Sequence, residues 1–108
     1  MLRAQKRGSF QVMVQAKAES VDCPLINISL GGICLACREP LSRGKIVGLV
    51  FNIPGEVDPV FCKARVCWCR PEKDDFYKTG LCFTQLTRKD QERIMQFVIM
   101  HSLPLTAN

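Results

Sequence analysis

From Phe10 to Leu86 the apolar pattern is repeatedly cut short by glycine, proline or polar clusters, and this punctuation limits the possible folds more than any other feature of the chain. Phe10, Val12, Val14, Ala16 and Ala18 alternate with Gln11, Gln15, Lys17 and Glu19, which is the pattern of a half-buried strand. Pro24 opens a short run from Leu25 to Ser29, and Gly31-Gly32 permits a sharp turn before Ile33 to Cys37. After Pro40, Ser42 and Gly44, the segment Ile46 to Ile53 is apolar on both faces, as expected of a strand enclosed by others. Pro54-Gly55 and Asp58-Pro59 bracket a loop, and Val60 to Cys69 follows with Val60, Cys62, Ala64, Val66 and Trp68 on one side. A polar turn from Arg70 to Asp75 precedes a strand from Phe76 to Phe83, with Gly80 at a bend or bulge. Thr87 then offers an N-cap, Asp90 stands three positions on, and Ile94, Phe97, Val98 and His101 recur at helical spacing until Pro104 should stop the helix.

Short strands finished by one helix predict a small antiparallel barrel with a helical lid, an outline shared by oligonucleotide-binding barrels. The expected organisation is one domain over residues 1–108: a flexible leader (1–9), the β-barrel (10–86) and a C-terminal helix (87–103). The net charge of +5 favours an anionic partner: nucleic acid, a nucleotide or an acidic membrane surface. The longest apolar run, Ile46 to Phe51, falls far below the roughly 20 residues needed to cross a bilayer. The basic N-terminus is followed by no apolar export segment, so the cytoplasm is the expected location.

Seven cysteines, an odd number without secreted-framework spacing, are expected to be mostly buried, reduced thiols. Cys34 and Cys37, with Cys67 and Cys69, offer four sulfurs to a zinc ion. In an extended strand, however, Cys34 and Cys37 point to opposite faces, and no glycine follows to form a knuckle, so no metal is expected. The single histidine, His101, has no nucleophile or carboxylate partner in sequence, and Asp22, Asp58, Asp74 and Asp75 form no paired-acid motif. No catalytic residue is assigned, and the chain is not expected to be an enzyme.

Two constellations carry chemistry. Arg3 and Arg7 place guanidiniums four positions apart ahead of the first strand, where they are either a solvated basic tail or two forks that match phosphate and donate to O6 and N7 of guanine. Asn27 and Ser29, two apart, leave the same face of a strand, and Gly32 serves either the turn or the close approach of a ligand. Together and in this order they resemble the PilZ family, whose signature is R-x-x-x-R followed by D/N-x-S-x-x-G. Gly44 with Lys45 to Phe51, then Ala64 to Trp68, Gly80 to Phe83 and the terminal helix are similar to later segments of that family.

The resemblance implies a six-stranded antiparallel barrel with a C-terminal helix, acting as a receptor for the bacterial second messenger cyclic di-GMP. Arg3 and Arg7 would clasp guanine edges and phosphates while Asn27 and Ser29 hold the other side and Gly32 gives clearance. Trp68 stacks on a guanine or packs into the core. Leu2 stands where some members carry another basic residue, which favours one bound ligand over a stacked pair. The resemblance implies no cofactor beyond this ligand, and a downstream protein partner rather than nucleic acid or membrane. The alternative is an adaptor that keeps the fold and works through protein contacts alone, although such members usually lack the arginine motif. A general single-strand-binding barrel calls for exposed aromatics interleaved with basic residues and comes last.

Overall fold

The structure, a computed structural model, describes residues 10–16 and 19–106, with the backbone alone over 102–106. Six strands, β1 (Gln11–Ala16), β2 (Glu19–Ile28), β3 (Gly32–Cys37), β4 (Ile46–Phe51), β5 (Val60–Pro71) and β6 (Tyr77–Gln85), precede one helix, α1 (Arg88–Thr106). The strands close into a barrel in the order β1-β2-β3-β6-β5-β4, every neighbouring pair antiparallel. This is the six-stranded barrel with a C-terminal helix that the sequence predicts.

Alternation supplies the interior: Val12, Val14, Leu35, Leu49, Phe51, Val60, Ala64 and Val66 are buried together. One barrel mouth is stoppered by α1, whose Ile94 and Phe97 are buried. The Phe10 ring packs against Phe97 and Phe51 with centroids 5.7 and 5.8 Å away. The helix starts where the sequence marks it, the Asp90 N–H donating to Thr87 Oγ1 at 3.1 Å. Asp90 does not complete a reciprocal box; its carboxylate accepts from Arg93 at 2.7 Å. Arg93 also bonds Glu56 at 2.7 Å and donates to the Asp58 carbonyl, pinning α1 to the β4–β5 loop.

Several boundaries differ from expectation, among them the end of β5, which runs through Arg70 to Pro71 where a polar turn is expected. β2 does not open at Pro24 but begins at Glu19, paired with Ala16. Residues 19–22 are all exposed, so no alternation marks them as strand. Pro24 is tolerated inside β2 because it sits where the ladder changes partner: pairing with β1 ends at Pro24, and pairing with β3 begins at Leu25. The helix runs through Pro104 to Thr106 rather than ending at 103. A proline this near a helix end removes one intrahelical bond with no further turn depending on it.

Candidate functional site

Both motif strands depart from regular alternation beside the site. In β2, Leu25 pairs with Leu35 but Asn27 pairs with Cys34, so Ile26 is an extra residue. In β5, Val66 pairs with Leu81 but Trp68 pairs with Gly80, so Cys67 is an extra residue. A bulge reverses the side to which the following residue points. Without the first, Asn27 would continue the inward series of Cys23 and Leu25; without the second, Trp68 would continue the inward series of Ala64 and Val66. Trp68 thus leaves the side that alternation gives it with Val60, Cys62, Ala64 and Val66: of the two readings, stacking surface or core, its side chain takes the outer wall, 38% exposed.

There the indole lies over Gly80, where an added Cβ would collide with it. Asn27, Ser29, Gly32 and Trp68 line one open cavity of about 270 Å³ on the outer face of β2, β3, β5 and β6. Arg70 and Lys78, directly opposite each other on the β5–β6 ladder, belong to the same cavity, and among the described residues no acidic one lines it. The Arg70 guanidinium stands 4.8 Å from the centre of the Trp68 ring. Buried Cys34 lies at the floor, its thiol pushed above its ordinary range by burial despite the opposing pull of Lys78. Arg70 and Lys78 escape a reading of the linear sequence because they are eight positions apart and meet only through strand pairing.

Ser29 and Gly32 close the β2–β3 turn, Ser29 N–H donating to the Gly32 carbonyl at 2.9 Å and its hydroxyl to the same oxygen at 3.4 Å. Gly32 has a reason to lack a side chain that is independent of any ligand: a Cβ there would strike the Leu81 carbonyl of β6. Arg3 and Arg7 lie outside the described residues. The four sulfurs considered for zinc do not converge. Cys34 faces outward beside Asn27, Cys37 lies in the core with Cys23, Cys67 is bonded to Cys82, and Cys69 accepts from the Thr79 hydroxyl at 3.5 Å. Most of the cysteines are buried free thiols, as expected, namely Cys23, Cys34, Cys37 and Cys62; Cys67 and Cys82 are the exception, because the bulge and its diagonal partner bring both sulfurs to the outer wall.

Two larger clefts exist, about 680 Å³ beside Gly48 and Phe61 and about 610 Å³ beside Cys23 and Cys37. Neither contains a residue of the Asn-Ser-Gly motif, and the smaller cavity gathers the groups suited to a nucleotide: amide, hydroxyl, indole and two cations. No helix among the described residues is long and apolar enough to cross a membrane.

The PilZ domain family model matches residues 2–100. Among solved structures, the chain is similar to the Bacillus subtilis inhibitor of motility MotI/DgrA, with a TM-score of 0.80 and 24% identity over 95% of this chain and 50% of that one. It is also similar to K. pneumonia MrkH, with a TM-score of 0.78 and 20% identity over 98% and 49%. A third similar structure is the PilZ domain of YcgR from Escherichia coli with cyclic di-GMP, with a TM-score of 0.72 and 11% identity over 99% and 91%. The chain thus spans about half the length of the MotI and MrkH chains. None of the curated proteins matches it.

Proposed function

The chain belongs to the PilZ domain family, and on that premise we propose that it is a receptor for cyclic di-GMP that signals to a protein partner and performs no catalysis itself. The observation that carries this reading is the convergence of Asn27, Ser29, Gly32, Trp68, Arg70 and Lys78 on one outward cavity. YcgR and MrkH, similar in fold, have been solved with the same ligand.

In this reading a guanine stacks on Trp68, while the amide of Asn27 and the hydroxyl of Ser29 bond a base edge or ribose. Arg70 and Lys78 face the phosphates, whose charge they meet in a wall free of carboxylates. Arg3 and Arg7, on the leader of residues 1–9, complete the site from the open side with bidentate contacts to guanine and phosphate. Ordering of that leader over the ligand changes the surface offered to the partner. The leader, barrel and helix act as one unit, and the cytoplasm is where such a nucleotide would be met.

Titration calorimetry with cyclic di-GMP, against GTP and cyclic di-AMP as controls, tests the reading. We expect heat with cyclic di-GMP alone and loss of most of it in Arg7→Ala. No heat at high protein concentration would refute the receptor and favour the adaptor that works through protein contacts.

A further inference from the structure

Cys67 and Cys82 bracket the ligand cavity in a way that the receptor reading leaves unused. Cys67 is the extra residue of the β5 bulge, immediately before Trp68, and Cys82 stands directly opposite Gly32 on the β3–β6 ladder. Their sulfurs are bonded over a Cα–Cα distance of 6.4 Å, within the span disulfides bridge. Both line the cavity with Trp68 and Gly32.

Neither cysteine belongs to the barrel core, so the bond secures the outer wall and not the interior. Cys82 is exposed and Cys67 half-buried, which gives a small thiol in solution access to the sulfurs. Exposed disulfides are the readily reduced kind, whereas structural ones are typically shielded. Cys34, the other sulfur at this cavity, is buried and held in its protonated form, so it is a poor nucleophile toward the pair.

We infer that Cys67 and Cys82 form a reversible thiol–disulfide modification site that sets the stance of Trp68 and, through it, the affinity of the cavity. The second half of that inference rests on the receptor reading. In the oxidised form the bond ties the bulged residue to β6 and keeps the indole seated over Gly80. For reduction, the thiolate of a glutathione-like molecule attacks one sulfur, forming a mixed disulfide and expelling the other as a thiolate that takes up a proton. A second small thiol then cleaves the mixed disulfide. The products are two cysteine thiols and one disulfide of the small thiol, two electrons having passed to the protein. The bulge is then held by the ladder alone, and Trp68 leaves its seat.

The test equilibrates the full chain in glutathione buffers of graded reduced-to-oxidised ratio. Alkylation and mass spectrometry map the Cys67–Cys82 pairing, acrylamide quenching reports access to Trp68, the only tryptophan, and calorimetry measures cyclic di-GMP binding. We expect the pair to interconvert reversibly with the far-ultraviolet circular dichroism unchanged, and Trp68 to become more accessible on reduction. Affinity should fall about tenfold, near the low end of what losing one base stack costs. Cys82→Ser, a change at an exposed position, should behave as the reduced protein in every buffer. A different cysteine pairing, reduction that unfolds the barrel, or equal Trp68 access and equal affinity in both states would each overturn the inference. If Trp68 access follows the redox state while cyclic di-GMP binds neither form, the receptor reading fails and the modification site stands.

Discussion

Gly80 is the residue on which the outer wall depends, because its missing side chain is the space the Trp68 indole occupies. Gly80→Ala should therefore lift the indole and weaken cyclic di-GMP binding by about 1–3 kcal/mol, the worth of one base stack; calorimetry beside a thermal melt separates this from simple unfolding. Cys62 provides a different single-residue test. Buried on the inner face of β5, its thiol is pushed from an ordinary 9.0 up to about 12 by burial, with Asp90 adding to the effect. Above pH 9 the unfolded chain releases this proton and the folded one keeps it, so stability should fall between about 9 and about 12. Denaturant titrations across that range should give a shallower alkaline decline in Cys62→Ala, from a lower starting stability. Asn27, Ser29 and Gly32 were legible in the sequence because their spacing is itself the motif. Arg70 and Lys78 were not, since only the β5–β6 register makes them neighbours.

Among the elements, α1 was the most legible: its cap at Thr87 and its buried Ile94 and Phe97 follow from helical periodicity and capping chemistry. Ile94→Ala should cost about 2–5 kcal/mol in chemical denaturation, because the site left between helix and barrel mouth cannot collapse fully. The strands were legible as strands but not in their finer register. Alternation over Val60 to Val66 correctly marks the inner face, then misassigns Trp68, since nothing in the side chains announces that Cys67 is left over from the pairing. Deleting Cys67 removes the unpaired residue and leaves Trp68 beside Val66, still opposite Gly80 and still outward, so ligand binding should weaken no further than in Cys82→Ser. Emission of Trp68 shifted to shorter wavelength, or binding lost in a chain that still folds, would show instead that Trp68 turns inward without the bulge. Glu19 to Asp22 were illegible for the opposite reason: exposed on both sides, they are strand only because β1 pairs with them.

Across the whole molecule, the net charge of +5 and the two cations in a wall without carboxylates suit a doubly charged ligand. Raising the ionic strength should weaken binding progressively, and an affinity indifferent to salt would contradict phosphate contact. Ligand at about a hundred times its Kd should add about 2.7 kcal/mol to folding stability, measurable as a shifted denaturant midpoint. The barrel, finally, is a ring in which every strand has a neighbour on both sides. Among the described residues it presents no edge strand, the usual seed of fibrous aggregation. Such a ring can accumulate, or be spliced beside other modules, without templating its own polymer. Whatever it tells a partner must therefore be spoken in side chains, by the helix, the turns and the segment that precedes β1.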